Sequence, residues 1–146
     1  MSFDLRISEG DLSLSAENDL ATVENGDKLI QDILKIIQTP IGGNAFFPWY
    51  GSPVANTLIG TSLDTGFISS VASSQLRASL DNLKTLQNAQ LREFGQNVTP
   101  QEQIAAIEGV SVERNAIDPR YFSVYVSIIS KARTREQVEI QIDPTL

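Results

Sequence analysis

The chain contains neither cysteine nor histidine. Without thiols, disulfides and thiolate metal sites are excluded. Without imidazole, so are histidine metal ligands, Ser-His and Cys-His nucleophile pairs and a histidine proton shuttle. Chemistry is left to carboxylates, lysine, arginine, tyrosine and hydroxyls, and no metal or cofactor is expected. Positive charge is scarce: 11 basic against 18 acidic side chains give a net charge of −7. Nonspecific nucleic-acid binding needs a positive field, so no nucleic-acid partner is expected. No apolar run approaches the roughly 20 residues of a membrane span. Met1-Ser2-Phe3-Asp4 lacks the basic and apolar parts of a signal peptide. No membrane partner is expected, and synthesis and first assembly belong to a cytoplasm. At 146 residues and 41% apolar composition, one domain over 1–146 with a compact core is expected.

What the chain does have is concentrated between Thr39 and Gly51. This stretch gathers three of the nine glycines, two of the six prolines, two of the six phenylalanines and the only tryptophan. Proline fixes φ and glycine permits positive φ, so the backbone is a shaped loop. Phe46, Phe47, Trp49 and Tyr50 fill four of five consecutive positions. Burying an aromatic side chain is worth roughly 1.5–3 kcal/mol. The loop is therefore expected to dock, on its own domain or on a partner. It holds no acid, base or thiol.

The surrounding pattern is α+β. Leu12 and Leu14, then Leu20-Ala21-Thr22-Val23, read as two short strands, a candidate hairpin. Asn25-Gly26-Asp27 reads as a helix start, with Leu29, Ile30, Ile33, Leu34, Ile36 and Ile37 as one apolar stripe. Pro40 ends that helix near Gln38. Leu58 to Ser62 is a short apolar piece. A long helix is predicted from about Thr65 to Phe94, with Asp64 as its cap and Gly95 as its stop. Its stripe runs through Ile68, Val71, Ala72, Leu76, Leu80 and Leu83, then Leu86 or Gln87, Ala89 or Gln90, and Phe94. Thirty residues of helix span roughly 45 Å, so a break or an overhanging end is expected. Thr99-Pro100-Gln101-Glu102 predicts a short helix over 100–107. Val110 and Val112, then Phe122, Val124, Val126 and Ile128, then Val138, Ile140 and Ile142 alternate as strands, with Ala132 to Arg135 as a connection. Central helices packed on a small antiparallel sheet, formed by the C-terminal meander and an N-terminal hairpin, are the expected architecture.

Asp118-Pro119-Arg120 precedes the strand Tyr121 to Val126. Pro119 suits a strand mouth, and Arg120 is projected from a fixed position with a planar fork of donors. On residue chemistry alone a local turn with a solvent-facing arginine is favoured over a docking fork.

In their order, these features resemble the baseplate wedge proteins of contractile phage tails. That family includes the T-even wedge protein called a tail lysozyme and the related baseplate component of type VI secretion systems. The apolar helix running into Leu34 to Thr39-Pro40-Ile41-Gly42-Gly43 is similar to the family's helix end. Pro48-Trp49-Tyr50-Gly51 is similar to its proline-x-tyrosine-glycine motif. Asp118-Pro119-Arg120 resembles its glutamate-proline-arginine motif. The likeness runs from about Asp11 to Ile142. Two departures stand: Gly43 or Asn44 replaces the usual glutamate, and Asp118 is one methylene shorter than the motif acid.

The resemblance implies a structural protein of the tail baseplate, not an enzyme, assembled in the bacterial host cytoplasm. Its implied partners are the helical bundle of the larger wedge subunits, the tail sheath protein, and tube or hub proteins. Asp118, Pro119 and Arg120, with Pro48, Trp49, Tyr50 and Gly51, would contact the wedge. Val138, Ile140 and Ile142 would lie in a strand exchanged with sheath, which makes the chain a sheath initiator. Two alternatives stand beside it. A peptidoglycan hydrolase would need two facing carboxylates about 5–9.5 Å apart, and Glu17 and Asp19 are the nearest sequence pair. An adaptor domain unrelated to phages is the other.

Overall fold

The computed structural model describes residues 3–58, 65–93, 95 and 97–143. The chain begins as a small ribbon of β1 (Asp4–Leu5), β2 (Ile7–Ser8), β3 (Asp11–Leu12) and β4 (Thr22–Val23). β1 pairs with β4 and β2 with β3, both antiparallel, and Leu14 bridges Leu20. The tight turn between β2 and β3 is Glu9-Gly10, with both residues at positive φ, as a two-residue hairpin of this hand requires. The expected strands at Leu12–Leu14 and Leu20–Val23 are present, but each also pairs with the segment before them.

Helix α1 (Asn25–Gln38) buries Leu29, Ile33, Ile36 and Ile37. It ends where Thr39 turns extended, with the Thr39 N–H donating to the Lys35 carbonyl at 3.0 Å. A loop leads to α2 (Val54–Leu58) and then to α3 (Thr65–Arg92), which runs unbroken for 28 residues. The expected break does not occur, and Gly66 and Phe67 near its start and Leu91 and Arg92 at its end are exposed. Its buried stripe is Ile68, Ala72, Leu76, Leu80, Leu83 and Gln87. Gly95 takes a positive φ, as a helix stop does. Ile59 to Ser62, Asp64 and Phe94 lie outside the described residues.

The helix expected over 100–107 is corrected. The capping box is real, with the Thr99 N–H donating to Glu102 Oε2 at 2.9 Å. It closes a single 3-10 turn, Pro100–Glu102, and the chain then goes straight into β5 (Ile104–Arg114). Only three residues follow Pro100 before the strand, too few for the hydrogen-bond ladder of an α-helix to propagate. β5, β6 (Phe122–Ser130) and β7 (Arg135–Ile142) form an antiparallel meander in that order. Arg133 supplies the positive φ of the β6–β7 turn in place of glycine.

The inner face of the meander carries Val112, Phe122, Val124, Val126, Ile128, Val138, Ile140 and Ile142, all in the core with α1 and α3. Helix α3 lies along β5 and α1 reaches β7. The architecture is α+β as expected, although the N-terminal ribbon and the meander are separate small sheets.

Candidate functional site

The aromatic loop is closed by its own backbone. The Ser52 N–H donates to the Thr39 carbonyl at 2.8 Å, Gly42 N–H to Pro48 at 3.1 Å and Tyr50 N–H to Phe47 at 2.9 Å. Asn44 Oδ1 accepts from the N–H groups of Phe46 and Phe47. Gly51 sits at φ 117°, and a Cβ there would meet the Thr39 carbonyl oxygen at 2.5 Å. Gly51 is thus a closure residue beneath the loop. Tyr50 packs against the core. Phe46 is 90% exposed, and Phe47 and Trp49 are also exposed, held edge to face at 5.9 Å. The loop therefore docks one aromatic inward and presents three outward.

Asp118, Pro119 and Arg120 lie in the β5–β6 connection. Asp118 Oδ1 accepts from Arg120 Nε at 3.0 Å, and Oδ2 accepts from Nη2 at 2.8 Å. That hydrogen-bonded guanidinium holds Asp118 below the usual carboxylate range, and Asp118 raises Arg120 in turn. Arg120 stays 74% exposed in its side chain. Asn115 Oδ1 accepts from the N–H groups of Ile117 and Asp118, and Arg114 Nη1 donates to the Pro119 carbonyl. The fork is pre-set and outward. Ile117 stands beside it, almost wholly exposed. Sequence reading passed over Ile117, since one apolar residue in a polar turn has no periodicity. Among the described residues no hydrogen bond, ion pair or ring contact joins this turn to the aromatic loop.

The two edges of the meander are treated differently. β5 carries two register shifts, skipping Ala105 and Glu108. Lys84 Nζ donates to the Ala105 carbonyl and Arg77 Nη2 to the Ile107 carbonyl, each at 2.9 Å, so α3 caps the bulged strand. β7 pairs with β6 in unbroken register, and its other edge has no backbone partner among the described residues. The side chains of Val138, Ile140 and Ile142 point into the core, and Gln137, Glu139 and Gln141 point out.

Two buried glutamines escaped the sequence reading as anchors. Gln31 takes the Ile7 N–H at 2.9 Å and gives to the Leu5 carbonyl at 2.8 Å, fixing the ribbon to α1. Gln87 does the same between α3 and the start of β5.

A pocket of about 330 Å³ among α1, α3 and Tyr50 holds Asp4, Lys28, Asp32 and Lys35. Asp32 Oδ2 accepts from Lys28 Nζ at 2.9 Å, and Asp4 pairs with Lys35. Burial pushes Asp32 up, against the opposing pull of Lys28. Burial would raise Asp4 too, but Lys35, with the Leu5 N–H and Gln31, holds it low. Burial, then the charges of Asp32 and Asp4, raise Tyr50. Both carboxylates are thus tied to ammonium groups. A groove of about 560 Å³ on the outer face of the sheet has Glu139 as its one acid. No group of three or more acids among the described residues could hold a metal.

No protein-family model and no curated protein sequence matches the chain. In fold it is similar to a candidate tail lysozyme from Geobacter sulfurreducens known from its crystal structure. The TM-score is 0.58 at 12% sequence identity, over 91% of this chain and 96% of that chain. At that identity the likeness is one of fold.

Proposed function

We propose that the chain is a structural baseplate wedge subunit of a contractile tail. It clamps the helical bundle of larger wedge subunits and starts sheath assembly by accepting a strand on β7. The likeness of fold to a protein described as a tail lysozyme supports a place in a tail. The observation that carries the reading is the contrast between the sheet edges: β5 is bulged and capped by Lys84 and Arg77, and β7 is straight and open. An open edge is a liability in a monomer and a template for an added strand. β7 itself is kept, because Val138, Ile140 and Ile142 would each forfeit roughly 1.5–3 kcal/mol of burial on leaving. Arg120 and the loop at Pro48, Trp49, Tyr50 and Gly51 serve the wedge contact.

The test combines both halves. Alternate amides of β7 are expected to exchange freely in the isolated protein and to gain protection on addition of sheath subunit. Arg120→Ala is expected to keep the melting curve and to weaken retention of co-expressed wedge subunits about tenfold or more, the loss of a charge-assisted fork. Unchanged β7 exchange removes the sheath role, and unchanged retention removes Arg120 from the clamp.

A peptidoglycan hydrolase is the second reading, since the protein of similar fold carries that description. Glu17 and Asp19 lie exposed on the ribbon, outside the apolar pocket in which a general acid is held. Asp32 is raised, but its Oδ2 already accepts from Lys28, and Asp4 is held by Lys35. A zymogram of purified protein is expected to stay dark; a lytic band would reinstate the enzyme.

A further inference from the structure

The N-terminal ribbon presents an apolar face that stays exposed among the described residues. Ile7 faces Leu12 across the β2–β3 pair, and Leu14 faces Leu20 across the bridge. Cross-strand partners project to the same side, and so do Leu12 and Leu14, two residues apart. The four side chains are 45–62% exposed. The surface continues past the ribbon: Ile7 lines a groove of about 230 Å³ with Val23, Ile30 and Leu34. The charge of the ribbon has one sign, with Glu9, Glu17 and Asp19 in its turns and Asp11, paired with Ser8, on the reverse side of its strand. No lysine or arginine occurs between Arg6 and Lys28, whereas Glu9, Asp11, Glu17 and Asp19 are exposed and without a cation among the described residues. Arg6, which precedes Ile7, already faces Asp27 at 3.8 Å.

We propose that this face binds an amphipathic, basic segment of a partner protein, whose apolar side seats on Ile7, Leu12, Leu14 and Leu20. The ribbon's carboxylates select the partner. A second copy would bring the same acids against these, and an anionic lipid surface would be repelled. The ribbon is firmly mounted, since Gln31 and the Asp4–Lys35 pair hold it to α1, so little ordering is needed on binding. The groove at Ile7 has no lining residue from the aromatic loop or the Arg120 turn, and its test stands without them.

The probe is a synthetic amphipathic helical peptide of leucine and lysine, titrated into the protein of residues 1–146. Two controls are used: the same pattern with glutamate for lysine, and a lysine–glutamine peptide of equal charge without the apolar side. The leucine–lysine peptide is expected to bind and to shift amide resonances over 7–20 and at Ile30 and Leu34. Leu12→Ser with Leu14→Ser and Leu20→Ser is expected to weaken it roughly tenfold or more. Glu9→Gln, Asp11→Asn, Glu17→Gln and Asp19→Asn together keep the apolar face and are expected to weaken binding several-fold and flatten its salt dependence. Absence of binding, equal binding of the lysine–glutamine peptide, an unaffected leucine variant or shifts elsewhere would each overturn the proposal. So would a dimer of the free protein that the leucine variant dissolves, which would make a second copy the occupant.

Discussion

Replacing Gln87 by leucine is expected to destabilise the protein by about 2–5 kcal/mol, read as a lower urea midpoint at unchanged slope. The change looks mild, because leucine is a better helix former and the site is 4% exposed. The cost lies in what Gln87 holds. Its Nε2 donates to the Glu102 carbonyl at 2.9 Å and its Oε1 accepts from the Ile104 N–H at 2.8 Å. These groups sit at the joint between the 3-10 turn and β5, where β5 has not yet settled into its pairing with β6. The register shifts at once after Ile104. The amide therefore stands in for a missing strand. Leucine would remove two hydrogen bonds from backbone groups at this buried joint, each loss costing about 1–3 kcal/mol. Gln90→Leu, on the same helix but half-buried, is expected to cost little. If Gln87→Leu melts with the natural protein, water satisfies the joint and the clip is dispensable.

The same joint shows where the sequence was legible. Helix α1 was readable because six aliphatic residues fall on one stripe and Pro40 closes it. β6 and β7 were readable because one face is buried and period-two alternation follows directly. β5 was read only in its second half. Its first half, Ile104 to Gly109, carries two bulges, and a bulge shifts the alternation that defines a strand. Thr99 to Glu102 was read correctly as a cap, but the signature does not encode how many turns follow. The ribbon strands before Glu9 are two residues each, too short to show a period. The α3 stripe forked at Leu86 or Gln87 because a glutamine counts against a core position. The structure takes Gln87, since a buried amide can serve backbone groups that a hydrocarbon cannot. For the candidate site, aromatic density marked the loop around Trp49, and Pro119 marked the strand mouth. Which aromatics face outward depends on the Gly51 closure and the Asn44 turn, contacts that composition does not reveal.

On the proposed wedge role, replacing Phe46, Phe47 and Trp49 together by serine is expected to weaken association with co-expressed wedge subunits by about 2–4 kcal/mol, or roughly 30- to 1,000-fold. The melting curve should hardly move, because the three rings are exposed and make few contacts that folding needs. An exposed aromatic cluster in a loop fixed by five backbone hydrogen bonds is prepared for a partner at small entropic cost. Two further substitutions separate contact from shape. Tyr50→Ala removes a ring packed on the core, so it is expected to lower stability as well as association. Gly51→Ala leaves every ring in place but drives a Cβ toward the Thr39 carbonyl at a φ that alanine resists. It is expected to weaken association by moving the rings, with a smaller loss of stability than Tyr50→Ala because the strain is confined to the closure. If the triple variant binds the wedge as well as the natural protein while Arg120→Ala does not, the clamp rests on the turn at Asp118-Pro119-Arg120 alone. The outward rings would then need another occupant. If neither change matters, the wedge role fails, whatever β7 does with a sheath strand.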